Sequence, residues 1–190
     1  MANVILVTGG ARCGKSSFAE LLARQAELPV TYIATAQIRD EEMAVRVAQH
    51  KQSRPAGWRL IEEPLRINSS LLTLAEEKGV ILIDCVTLWL TNLLLANWPG
   101  IEQDILNEVR EVADVAGRIR PTVIFVSNEV GSGIVPDNPL ARSYRDLAGR
   151  ANQILAQAAE AVYLVVAGYP VEIKQRGQEL LASLRRGGSK

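Results

Sequence analysis

The residues with the plainest chemical purpose stand near the start of the chain. There Gly9-Gly10-Ala11-Arg12-Cys13-Gly14-Lys15-Ser16 separates an apolar run from a helical pattern. Glycines at the two ends of this turn let the backbone curl until successive N–H groups point inward, a shape that binds phosphate oxygens. The dipole of the helix that follows adds partial positive charge at the same spot. Lys15 supplies an ammonium for the outer phosphates of ATP or GTP, and the Ser16 hydroxyl is placed to reach a Mg²⁺ bridging them. The spacing Gly-x-x-x-x-Gly-Lys-Ser between a strand and a helix is the context in which a phosphate loop works. A chance glycine-rich turn is the alternative.

Val80-Ile81-Leu82-Ile83-Asp84 reads as a fully buried parallel strand ending in a carboxylate, at the edge where such sheets bind ligands. Asp84 is a natural second partner for Mg²⁺, or else a cap for a helix beginning near Thr87. His50 is the chain's one histidine. On a helix it would have Arg46 one turn before it, Lys51 beside it and Arg54 about one turn after. Such a cationic cluster favours neutral imidazole and attracts a triphosphate, two conditions for attack of a ring nitrogen on phosphorus; a packed or solvated histidine is the other reading. Cys13 and Cys85 lie on separate loops and make no metal set, so both read as small buried residues.

The elements that must position these groups alternate between apolar runs and amphipathic stretches, the pattern of an α/β fold with a mostly parallel sheet flanked by helices. Strands are expected over Asn3 to Thr8, Val30 to Thr35, Val80 to Asp84, Thr122 to Ser127 and Ala161 to Val166. Helices are expected over Ser16 to Glu27, Asp40 to about Ser53, Arg66 to Lys78, Thr87 to Ala96 and Ile101 to Arg120. Another lies within Asn138 to Glu160, and the last runs from Gln175 to Arg186. The stretch from Asn128 to Pro139 holds Gly131, Gly133 and Pro136, and reads either as a shaped functional loop or as a surface connection. The segment from Arg54 through Trp58 to Glu62 and Glu63 is a candidate nucleotide-closing loop or a solvated turn. Trp89, Trp98 and the leucines at 88, 90, 93, 94 and 95 read as core or as a subunit contact.

With 190 residues and no composition break, residues 1–190 are expected to form a single P-loop nucleotide-binding domain. Lys plus Arg and Asp plus Glu are equal at 21 each, so no global field draws the chain to nucleic acid or anionic lipid. No signal peptide or membrane span is evident, and the two cysteines form no disulfide framework, which together fit a cytoplasmic setting. These residues alone leave open group transfer through His50, another small P-loop metabolite kinase, or a non-catalytic GTP-dependent switch.

Taken in order, further segments sharpen the choice. Tyr32 to Ala36, Asp40 to Met43 with Arg46, His50-Lys51, Arg54-Pro55 with Trp58 and Glu62, and Asp84 to Asn92 follow the glycine loop. Val126 to Gly131, Gly133 to Pro136, and Arg142 through Asn152-Gln153 complete the set. Together they resemble the bifunctional adenosylcobinamide kinase / adenosylcobinamide-phosphate guanylyltransferase family of cobalamin biosynthesis, whose fold is of the P-loop NTPase type (RecA-like).

The resemblance implies phosphorylation of adenosylcobinamide by ATP or GTP. It then implies transfer of GMP from GTP to the product through a GMP-histidine, for which His50 is the only candidate. It further implies that the guanine nucleotide lies along Ala34, Thr35 and Ala36, along Lys51, Gln52, Ser53 and Arg54, and along Glu62 and Asp84, and that the protein is a homotrimer. The loop departs from the family pattern at Cys13, where serine is usual; the change is small for small at a position whose backbone N–H does the binding.

Overall fold

The computed structural model describes residues 3–37, 41, 55, 57–97 and 102–187. One sheet contains β1 (Val4–Gly9), β2 (Val30–Ala34), β3 (Arg59–Glu62), β4 (Val80–Asp84), β5 (Thr122–Val126), β6 (Ala161–Val166) and β7 (Tyr169–Glu172), in the order β3-β2-β4-β5-β1-β6-β7. Every neighbouring pair is parallel except β6 with β7. The described helices are α1 (Lys15–Gln25), α2 (Ile67–Thr73), α3 (Val86–Asn97), α4 (Glu102–Ala116), α5 (Pro139–Ala158) and α6 (Lys174–Gly187). The architecture is the expected α/β arrangement, a mostly parallel sheet flanked by helices, with one strand, β5, between the strand that feeds the glycine loop and the strand that ends in Asp84.

Alternation along the strands explains why both faces of the sheet are covered, because successive side chains point to opposite sides. Val4, Leu6, Ile33, Ile81, Ile83, Val123 and Phe125 join the larger core with α2, α3, α4 and α5. Their immediate neighbours Ile5, Val7, Tyr32, Val80, Leu82, Ile124 and Val126 join a smaller core with Ala19 and Ala23 of α1. A strand whose every residue is apolar therefore serves two layers at once.

The five expected central strands and the helix after the glycine loop are present, with ends shifted by a residue or two. Two strands were not anticipated. β3 is short and mostly exposed, and β7 carries Pro170, whose missing N–H confines it to an edge. Both are the outer strands of the sheet, where no apolar alternation is required. The hairpin from β6 to β7 turns through Ala167 and Gly168, both at positive φ, the turn geometry that matches strand twist. The helix expected from Asp40 to Ser53 lies outside the described residues apart from Glu41.

Trp89, Leu90, Leu93 and Leu94 are buried, so that apolar run is chiefly core rather than subunit contact; Leu95 alone among them is exposed, and Trp98 lies outside the described residues. Exposed apolar residues cluster instead on β7 and α6, at Tyr169, Val171, Leu180, Leu181 and Leu184. No described helix is long and apolar enough to cross a membrane.

The junction of β7 and α6 shows how the last helix is fixed. Glu172 accepts from the backbone N–H groups of Val162, Lys174 and Gln175 at 3.3, 2.9 and 3.1 Å. Lys174 Nζ in turn donates to the carbonyls of Ala156, Gln157 and Ala159 at the end of α5. Burial opposes ionisation of Glu172, but these N–H groups together with Arg176 outweigh it and hold its carboxyl below the usual 4.5.

The folded state therefore binds fewer protons here than the unfolded chain, so the contribution is present above pH 4.5 and disappears as pH falls below it. Glu172→Gln should lower stability by roughly 0.5 kcal/mol at pH 7, the scale of a solvent-screened charge at a helix N-terminus. Urea unfolding at pH 7 and pH 3 checks this: the gap between variant and parent should close in acid.

Candidate functional site

β1 delivers the chain at Gly9 and α1 takes it up at Lys15. Gly9, Arg12 and Gly14 have φ of 150°, 56° and 100°, so the backbone between them curls as the sequence requires. A Cβ on Gly9 would stand 2.4 Å from the Val165 carbonyl oxygen and 2.7 Å from Cys13 Sγ, which leaves room for glycine only. The loop leans on the β6–β7 hairpin, whose Gly168 N–H donates to the Cys13 carbonyl at 2.8 Å.

No side chain caps α1 and no acidic residue occupies its first turn, so the leading N–H groups of the helix face outward to any anion. Lys15 is buried, and its Nζ folds back to donate to the Gly10 carbonyl at 2.8 Å, directly over the loop. Ser16 is half-buried in the first turn of α1.

A continuous register carries the rest of the site. Glu62, Ala34, Asp84, Val126 and Val7 are successive partners across β3, β2, β4, β5 and β1, so they end level at the carboxyl edge of the sheet. Thr35, just beyond β2, is fully buried. Its hydroxyl accepts from the Cys85 N–H at 2.9 Å and donates to the Cys85 carbonyl at 2.8 Å, across a cis Asp84–Cys85 peptide.

Asn92 of α3 donates to the carbonyls of Thr35 and Pro64 at 2.8 and 3.0 Å, and the Trp89 indole N–H donates to the Leu65 carbonyl at 2.9 Å. These bonds tie α3 to the ends of β2 and β3. The Cys85 carbonyl accepts the first turn's N–H from Trp89, which makes Cys85 the residue that caps α3 through its backbone. Since α3 begins at Val86, the cap position falls on Cys85, one residue past Asp84.

Behind this edge lies a polar network without a role in the sequence reading. Asn128 donates to Thr87 Oγ1 at 3.0 Å, Asn152 donates to the Asn128 carbonyl at 3.1 Å, and Ser127 donates to Asn152 Oδ1 at 2.6 Å. The Tyr144 hydroxyl donates to the Thr87 carbonyl at 3.1 Å. Burial, reinforced by Asp84, pushes the Cys85 thiol up to about 11, and burial pushes the Tyr144 phenol up to about 12. Both stay protonated at neutral pH, so Cys85 is a packing residue and not a thiolate nucleophile. Period-two patterning cannot reveal such bonds, because they join residues far apart in sequence.

The structure thus brings Gly9, Gly10, Ala11, Arg12, Cys13, Gly14, Lys15, Ser16, Ala34, Thr35, Ala36, Glu62 and Asp84 to one edge of one sheet. His50, Lys51, Gln52, Ser53 and Arg54 lie outside the described residues. Just after them, the Pro55 carbonyl accepts from the Trp58 N–H at 3.2 Å, and Arg24 of α1 stacks 5.9 Å over the Trp58 ring. Among the described residues no group of three His, Cys, Asp or Glu could hold a metal alone. Ser16 and Asp84 offer hard oxygen donors of the kind Mg²⁺ takes when phosphates and waters complete its shell.

The stretch 128–138 is shaped rather than slack. The Glu129 N–H donates to the Gly9 carbonyl at 3.0 Å, its carboxylate accepts from the Gly131 N–H at 2.8 Å, and Arg142 donates to the carbonyls of Pro136 and Asp137 at 3.0 and 2.6 Å. Asn138 then caps α5 through the Ala141 N–H at 2.7 Å, with Pro139 in the first helical turn.

A family model described as cobinamide kinase / cobinamide phosphate guanyltransferase matches residues 5–173. The chain is 46% identical over 169 residues to the bifunctional adenosylcobalamin biosynthesis protein CobP of Pseudomonas aeruginosa, covering 89% of this chain and 96% of that one. It is 45% identical over 181 residues to the bifunctional adenosylcobalamin biosynthesis protein CobU of Salmonella typhimurium, covering 90% and 99%. A solved Pyrococcus horikoshii OT3 protein superposes with a TM-score of 0.52 at 10% identity, over 89% of this chain and 84% of that one, a likeness of fold alone. With a match that runs from β1 through β7 and near-complete coverage of both relatives, the chain belongs to the cobinamide kinase / cobinamide phosphate guanyltransferase family, a family of transferases.

Proposed function

We propose that this chain, acting as one nucleotide-binding domain over residues 1–190, phosphorylates adenosylcobinamide with ATP or GTP. It then transfers GMP from GTP to adenosylcobinamide phosphate, giving adenosylcobinamide-GDP and pyrophosphate. The observation that carries the reading is the uncapped N-terminus of α1 beneath Lys15, in a chain of this family. Relatives named bifunctional support the pairing of two reactions in one chain.

In the transfer, a ring nitrogen of His50 attacks the α-phosphorus of GTP, forming a P–N bond as the bond to pyrophosphate breaks. A phosphate oxygen of adenosylcobinamide phosphate then attacks the same phosphorus, and the P–N bond breaks to return neutral His50. Lys15 and the amides of residues 9–16 take up the charge that grows on the phosphates. Ala34, Thr35 and Ala36, with Lys51, Gln52, Ser53, Arg54 and Glu62, hold the guanine nucleotide. Ser16 and Asp84 would hold Mg²⁺, which when bound neutralises phosphate charge. A metabolite kinase without the second reaction would use Lys15, Ser16 and Asp84 alike but have no need of His50.

Incubation with GTP labelled at the α-phosphate separates the two. An acid-labile, base-stable label should appear on the parent protein, vanish in His50→Ala, and fall with triphosphate affinity in Lys15→Ala, which should lose both activities. Intact GTP binding with no label on the parent would reject the transfer.

We also propose a cytoplasmic homotrimer, with the exposed apolar side chains of β7 and α6 as the contact. Leu181→Asp with Leu184→Asp should convert the trimer to monomer in sedimentation equilibrium, while the far-ultraviolet circular dichroism stays that of the parent. A parent that already sediments as a monomer would reject the trimer.

A further inference from the structure

We propose that the loop of residues 130–136 is the docking surface for the acceptor, with Ile134 and Val135 packing against the apolar face of the corrinoid macrocycle. The inference rests on the function proposed above and adds the part of the site that meets the second substrate.

Ile134 is 97% exposed and Val135 58%, the most exposed pair of adjacent aliphatic residues in the described chain. Isolated exposed aliphatics are commonplace; two in succession at the tip of a loop pinned at both ends are not explained by folding. At one end the Glu129 N–H is bonded to the carbonyl of Gly9, the first residue of the phosphate loop. At the other, Arg142 holds the carbonyls of Pro136 and Asp137. Ile134 is the fifth residue after Glu129, so the tip stands no more than about 18 Å from the point of attachment. The shape is also independent of Ile134 itself, because every bond that sets it is made by other residues.

What belongs on such a tip follows from the chemistry. The nucleotide is polar and is answered by amides and cations, so it has no use for two aliphatic side chains. The acceptor is a broad macrocycle with hydrocarbon faces and amide arms, and it must be brought to the nucleotide phosphorus by one long arm. An apolar contact attached rigidly to the phosphate loop orients that arm at low entropic cost, since the loop is already ordered. The Gly131 N–H is already bonded to the Glu129 carboxylate, whereas a Cβ on Gly133 would meet nothing within 4 Å, so the backbone next to the tip is open on that side.

The test pairs two rates on one protein, Ile134→Ser with Val135→Ser. KM for adenosylcobinamide phosphate should rise roughly 10-fold, the order expected when small apolar contacts are removed, while labelling of the protein by α-labelled GTP in the absence of acceptor keeps the parent's rate. Ile134→Leu should restore KM, and Leu72→Ser, an exposed apolar change on α2, should leave both rates alone.

An unchanged KM would overturn the proposal, as would a parallel loss of labelling, which would put the loop in the nucleotide site. A smaller sedimenting species for the double serine variant would assign these residues to a contact between copies and also overturn it. A parent protein that is labelled but yields no corrinoid product would instead defeat the function proposed above.

Discussion

The open amino end of α1 is the constraint on which the rest depends. A helix begins with N–H groups that have no partner within it, and most helices answer them with a capping side chain. Here the cap position is Gly14, in the left-handed region, and nothing on the first turn competes for those donors. The arrangement works only if the preceding loop stays curled, and the curl depends on Gly9 lying against the Val165 carbonyl and on Gly168 bonding to Cys13. An edge hairpin with little core of its own thereby sets the geometry of the glycine loop.

The remaining framework is rigid where it borders the site, and the reason is buried polar bonding. Asn92 is buried and joins three elements through two donated bonds, each worth about 0.5–1.5 kcal/mol net and costing more if left unanswered. Surface pairs such as Arg118 with Asp114, at 3.8 Å and mostly exposed, contribute about 0–1 kcal/mol. Removing the buried amide therefore outweighs removing any one of those pairs. Thr35 and Asn152 act in the same way, each holding a loop at the carboxyl edge by its backbone, while Asn128 reaches the Thr87 hydroxyl.

The central strands and the glycine loop were legible because each is written locally. Val4 to Val7 and Val80 to Ile83 are uninterrupted apolar runs that only a strand covered on both faces can bury, and Gly9 to Ser16 has a spacing tied to one backbone shape. β3 and β7 were not legible, since Arg59 to Glu62 and Tyr169 to Glu172 owe their state to a neighbour's free edge and not to their own pattern. The leucines after Asp84 were open to two readings because an all-round apolar helix does not say what covers it; α4 and α5 do. Asp84 could be placed at the end of its strand from the apolar run before it, but the cap of the next helix, made by the backbone of Cys85, could not.

The interposed strand β5 acts as a gauge block. Neighbouring strands lie about 4.8 Å apart, so the levels of Val7 and Asp84 are separated by roughly 10 Å whatever side chains fill the core. That interval is set by peptide hydrogen bonds, which tolerate almost no stretching. Repacking the interior would leave the opening between glycine loop and carboxylate at its width, whereas one residue inserted in β5 would shift the ladder by about 3.3 Å and turn each later side chain to the opposite layer.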